Sequence, residues 1–119
     1  MDKGFLPGGY SDIVFEENPD LKNIPAYLYY FKINNGEYYK IGISKNNPKT
    51  RVKSLKSKAK SFGEELNFEI IAVQTKYTLY KCYKIEQLIL QKLNKFRIYR
   101  KWSTELFNTD VYKYIQKVF

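Results

Sequence analysis

Ala26-Tyr27-Leu28-Tyr29-Tyr30-Phe31-Lys32-Ile33, then Asn34-Asn35-Gly36, then Glu37-Tyr38-Tyr39-Lys40-Ile41-Gly42-Ile43-Ser44, is the stretch that carries most of the architecture. Both flanks are rich in aromatic and β-branched residues, which suit strands. Asn35-Gly36 between them is a strong hairpin signal, because a type I′ turn needs positive φ at both central positions. With those two residues as the loop, 34 pairs with 37, 31 with 40 and 29 with 42. Alternation then puts Tyr27, Tyr29 and Phe31 on one face with Lys40, Gly42 and Ser44. Leu28, Tyr30, Ile41 and Ile43 share the other face and read as core. Tyr29 stands opposite Gly42, where the missing side chain leaves room for a close approach to the phenol, and diagonal to Lys40.

Beyond the hairpin, Asn47-Pro48 opens a helix, with asparagine as cap and proline at the first helical position. Val52, Leu55, Ala59 and Phe62 give that helix an apolar stripe, and Gly63 ends it. Phe68–Val73 reads as a third strand, 77–97 as the longest helix and Thr109–Phe119 as a closing amphipathic one. Lys101–Phe107 reads as irregular. Residues 1–25 hold Pro7, Gly8, Gly9, Pro19 and Pro25 without sustained periodicity, so they read as an arm with a short strand at Asp12–Phe15. The expected fold is α/β: a single small sandwich over residues 26–119, with a mainly antiparallel three-stranded sheet flanked by helices.

The chain has 119 residues, 44% apolar and 18% aromatic, which suits one folded domain rather than a disordered chain. Lys and Arg number 21 against 12 acids, a formal charge of +9 with no histidine. Such an excess attracts polyanions, nucleic acid first; solubility and codon bias toward Lys, Tyr, Asn and Ile are the plainer explanations. Cys82 is the only cysteine, so an internal disulfide and a Cys/His zinc site are both excluded. No apolar run approaches the roughly 20 residues of a bilayer span, and the first residues lack a signal-peptide pattern. The expectation is a cytoplasmic protein with no membrane contact.

Several side chains carry chemical interest. A phenol with a pKa near 10 is a poor base unless a neighbouring cation stabilises the phenolate, which Lys40 could do for Tyr29. Arg51 lies one turn into its helix, and its planar fork suits a phosphate. Glu86 interrupts the stripe Leu79, Cys82, Tyr83, Leu90, Leu93, and a buried carboxylate needs a cation, either a basic side chain or a metal. The plainer readings are a sheet aromatic for Tyr29, a surface arginine for Arg51 and an edge position open to water for Glu86. One glutamate cannot hold Mg²⁺ tightly, so the ion would keep several waters and be completed by substrate phosphate. Lys45, Lys49, Lys53 and Lys56, with Lys58 and Lys60, are expected to form a basic ramp toward the hairpin face for backbone contacts with DNA.

Leu28-Tyr29, Lys40-Ile41-Gly42, Arg51 and Glu86, in this order and spacing, resemble the GIY-YIG nuclease superfamily, in the phage and viral branch with K-I-G as its second motif. Arg51-Val52-Lys53-Ser54-Leu55 resembles that family's R-x-x-x-L helix start, and Ser103-Thr104-Glu105-Leu106-Phe107 its terminal T-E-W-F segment. The resemblance spans roughly residues 25–107. It implies DNA phosphodiester cleavage with one Mg²⁺ (or Mn²⁺) ligated by Glu86. It implies Tyr29 as general base or water-positioning group, Lys40 assisting deprotonation and Arg51 stabilising the transition state. Tyr27 replaces the first-motif glycine. Ile43 stands where several members carry a histidine, which leaves a water or Tyr39 to serve the leaving group. With no space for a separate reading domain, specificity is expected from the arm, loops, a homodimer or a partner protein. A catalytically silent nucleic-acid-binding or structural subunit is the competing reading.

Overall fold

The computed structural model describes residues 10–119, so the first nine residues of the expected arm lie outside it. Strands β1 (Tyr27–Ile33) and β2 (Tyr38–Ser44) pair antiparallel in the expected register, Tyr29 opposite Gly42 and Phe31 opposite Lys40. The connection is wider than a two-residue turn: Asn34, Asn35 and Gly36 all have positive φ (51°, 56° and 107°). Asn34 leaves the ladder because its own N–H and side-chain oxygen are bound to the backbone of Asn67, at 2.8 and 2.9 Å.

Helix α2 (Pro48–Ser61) starts as its cap dictates, with Asn47 Oδ1 accepting from the Lys49 N–H at 2.9 Å. Leu55 and Ala59 are buried, but Phe62 is exposed rather than part of the stripe. Strand β3 (Phe68–Gln74) pairs antiparallel with β1. Helix α3 (Leu79–Lys92), capped by Thr78, ends before the expected position, and one 3-10 turn (Asn94–Phe96) leads into strand β4 (Arg97–Arg100). Strand β5 (Ser103–Phe107) follows after the two residues Lys101-Trp102.

The sheet therefore has five antiparallel strands in the order β3-β1-β2-β5-β4, not three. Strand β5 owes part of its pairing to β2, a partner distant in sequence that local propensity does not report, and edge strand β4 pairs with β5 alone. The turn between them is held by Trp102, which is fully buried and donates to Glu64 Oε2 at 3.0 Å, in place of a positive-φ residue.

Residues Asp12–Phe15, expected as a short strand, lie in a short helix, α1 (Asp12–Glu17). The Ser11 hydroxyl accepts from the Val14 N–H at 3.3 Å, and Phe15 enters the core. The closing helix α4 (Tyr112–Ile115) is one turn long and continues as a 3-10 turn. One sheet face packs Leu28, Tyr30, Ile41 and Ile43 against α3 and Phe15; the other packs Tyr29, Phe31 and Leu106 against Leu55, Ala59 and Trp102. The Tyr29 face is thus a second core rather than an open surface.

Candidate active site

Strands β2 and β5 pair over only two positions, Tyr39 with Phe107 and Lys40 with Leu106. Past them the ladder stops, and a cavity of about 290 Å³ opens beside Ile43, Thr104 and Glu105. Through this break, side chains carried by elements on opposite sheet faces reach one space: Tyr29 from β1, Arg51 from α2 and Glu86 from α3.

Gly42 is indispensable to the arrangement. A Cβ there would collide with the ring and hydroxyl of Tyr29, so the space left by the glycine is filled by the phenol itself. That locks Tyr29, 1% exposed and stacked on Phe31 with ring centroids 4.3 Å apart, so that its hydroxyl meets Arg51. Arg51 Nε donates to Tyr29 Oη at 3.4 Å. Burial raises the Tyr29 pKa, and the nearby charges of Lys40 and Arg51 only partly counter that, so the phenol is protonated at neutral pH.

Lys40 does not line the cavity. It is fully buried beneath it, with Nζ 2.7 Å from Glu105 Oε1 and 3.2 Å from Ser103 Oγ. Burial works against its charge, but the Glu105 carboxylate and Tyr29 outweigh it, and its pKa is raised. The lysine is a firm ammonium held by an acid rather than a free cation.

Glu86 is 3% exposed and, among the described residues, meets no cation within salt-bridge distance. Oε1 accepts from Gln87 Nε2 at a long 3.4 Å, and Oε2 has no hydrogen-bond partner. Desolvation and the Glu105 carboxylate push its pKa well above the ordinary carboxylate range, with Lys40 pulling the other way. It is a buried acid on the cavity with one oxygen unused.

The basic ramp is placed differently from expectation. Lys45, Lys49, Lys53 and Lys56 are all exposed. At 3.6 residues per turn, however, Lys49, Lys53, Lys56 and Lys60 form one stripe that lies roughly opposite Arg51 around α2. Lys58, not that stripe, shares the Arg51 side. Tyr39, expected as a proton route, stacks on Tyr30 with centroids 6.0 Å apart, on the face away from Tyr29; the tyrosines that line the cavity beside Tyr29 are Tyr10 and Tyr99.

Five cavity residues carry no assignment from sequence: Tyr10, Gln87, Arg97, Tyr99 and Glu105. Glu105 stood inside a quoted motif, but its lysine partner is 65 residues away and leaves no local signal. Arg97 was taken as a helix end. Among the described residues no group of three or more His, Cys, Asp or Glu side chains is placed to hold a metal.

A basic α/β domain with a tyrosine–arginine pair and two carboxylates on one cavity has the make-up of a nuclease-like or DNA-binding domain. The chain belongs to the T5orf172 domain family, whose model matches residues 25–119 and which stands among nuclease-associated families. No curated protein and no solved structure matches it significantly. No helix of the described residues is long and apolar enough to cross a membrane.

Proposed function

We propose that this protein is a metal-dependent DNA endonuclease of GIY-YIG type that hydrolyses phosphodiester bonds in the cavity between β2 and β5. The observation that carries the reading is the convergence of Tyr29, Arg51 and Glu86 there from three separate elements. A core needs no such meeting of hydroxyl, guanidinium and partnerless carboxylate, and burying them costs stability.

Glu86 suits a hard cation: it lines the cavity with one buried oxygen that has no hydrogen-bond partner, and a divalent ion would supply the charge that the described residues withhold. Bound there with waters and substrate oxygens, Mg²⁺ or Mn²⁺ would stabilise charge on the phosphate. Tyr29, protonated and rigid, positions the attacking water through its hydroxyl rather than acting as a free phenolate. Arg51 spends Nε on that hydroxyl, leaving its terminal N–H groups for the phosphate and for the charge developing on it. Lys40 acts from beneath by fixing the Glu105 carboxylate at the cavity edge. Helix α2 carries Lys49, Arg51, Lys53, Lys56, Lys58 and Lys60 with no acid, a self-repelling arrangement that a polyanion would relieve.

Plasmid nicking with Mg²⁺ or Mn²⁺, with and without EDTA, tests the reading. Wild type is expected to nick, EDTA to abolish nicking and Glu86→Gln to remove it without unfolding the chain. Tyr29→Phe should lower the rate by about 10²–10⁴-fold while DNA affinity holds. A catalytically silent DNA-binding subunit is the second reading, favoured by the engagement of Lys40 with Glu105 and Ser103. DNA binding by wild type with no metal-dependent nicking would select it.

A further inference from the structure

Arg97 belongs to two spaces at once. It lines the cavity that holds Tyr29, Arg51 and Glu86, and also an open groove of about 450 Å³ that runs on beside α3. The two spaces share Gln87, Leu90 and Arg97, so they adjoin along these side chains. The groove has an apolar floor at Leu90 and amide side chains at Gln87, Gln91 and Asn94.

The guanidinium is anchored without being used up. One terminal nitrogen donates to the Thr104 carbonyl at 2.6 Å, and the group lies 5.0 Å from the centre of the Tyr99 ring. Its Nε, by contrast, is buried and has no hydrogen-bond partner. An unpaired buried donor on a cation is costly unless an anion completes it. The planar fork of arginine, with one edge already fixed, suits a phosphate oxygen at the junction of the two spaces.

We infer that Arg97 binds the phosphate next to the scissile one, and that the groove beyond it holds the attached nucleotide. Leu90 offers a surface for the base, and the Gln87, Gln91 and Asn94 amides offer donors and acceptors for its polar edge. This rests on the nuclease reading, which supplies the DNA substrate and the position of the scissile phosphate. It gives the domain a discriminating contact beside the cut, in addition to backbone attraction by surface lysines.

The test measures binding apart from cleavage, using fluorescence anisotropy of a labelled DNA oligonucleotide in a Glu86→Gln background across a range of salt. Adding Arg97→Gln should weaken binding about tenfold or more and lower the salt slope by about one. Adding Arg100→Gln instead, on the same strand but outside both spaces, should cost less than threefold. Gln91→Ala with Asn94→Ala changes two exposed groove residues that leave the fold intact, and is expected to weaken binding and to flatten any base preference beside the cut. This pair keeps the test open should Arg97→Gln not fold. DNA binding insensitive to both the Arg97 and the groove substitutions would overturn the inference and leave the nuclease reading standing. Binding that depends on Arg97 in a wild type that never nicks would keep Arg97 as a phosphate contact, but would overturn the nuclease reading and with it the place of that phosphate beside a scissile one. Absence of DNA binding by wild type would overturn both.

Discussion

Glu105 and Glu86 line one cavity from different elements, yet among the described residues only Glu105 is met by a cation. Glu105 takes the Lys40 ammonium at 2.7 Å, with Ser103 Oγ completing the lysine at 3.2 Å. Glu86, buried in α3, has a single long hydrogen bond from its sequence neighbour and an oxygen with none. The first is a closed structural unit that holds β2 to β5 at the point where their pairing ends. The second is an open valence that folding alone leaves unsatisfied. Of two buried acids, the unsatisfied one is where a ligand belongs.

The largest effect should come from breaking the closed pair. Glu105→Gln strands a fully buried ammonium, and Lys40→Met strands the carboxylate; each should cost about 3–5 kcal/mol in urea denaturation. Lys40→Met with Glu105→Leu removes both charges, and should recover most of that loss. Near-wild-type stability for either single variant would show that the pair is not the buried unit described here.

Tyr30 supplies an intermediate case. It faces the core as alternation requires, but its hydroxyl is not idle: it donates to Asp110 Oδ1 at 2.7 Å and accepts from the Val111 N–H at 3.0 Å. Tyr30→Phe leaves a buried N–H without its acceptor, and should lower stability by about 1–3 kcal/mol. Nicking per folded molecule should be unchanged, because Tyr30 lies on the sheet face away from Tyr29. A large loss of specific activity would link the two faces through the sheet.

What sequence could reveal follows the range of the interactions. The β1–β2 register was readable because Asn35-Gly36 and strict alternation are local signals. The start of α2 was readable because Asn47 and Pro48 act on adjacent backbone. The place of Glu86 was visible as a break in an apolar stripe. The β4–β5 hairpin was not, since its turn contains no glycine or asparagine and depends on burying Trp102. The Lys40–Glu105 pair and the cavity opened by early termination of the β2–β5 ladder are products of tertiary pairing alone. The lysines of α2 illustrate a simpler point: closeness in sequence to Arg51 does not put Lys49, Lys53, Lys56 and Lys60 on its side of the helix, because about 100° per residue carries them round to the far face.

The smallest effect, and the one that separates the two glutamates most cleanly, is the pH dependence of the metal-free protein. Glu86 has a native pKa well above the 4.5 of an ordinary glutamate, because burial and the Glu105 carboxylate oppose its charge. From about pH 4.5 up to its native pKa, the folded state therefore binds more protons than the unfolded state, and this group makes stability fall as pH rises. Its share of the slope cannot exceed about 1.4 kcal/mol per pH unit, the limit for one proton. Glu86→Gln cannot ionise, so the variant should lack that share of the slope and gain on wild type as pH rises through the window. Thermal melts of both proteins in EDTA between pH 5 and 8 measure the difference. With a DNA oligonucleotide present to complete the site, Mn²⁺ at neutral pH should raise the wild-type melting temperature beyond the effect of DNA alone and leave Glu86→Gln unmoved, since a bound cation replaces the missing partner. If Glu86→Gln instead melts lower than wild type throughout and Mn²⁺ moves both proteins alike, Glu86 is a structural acid like Glu105, and the proposed metal site is wrong.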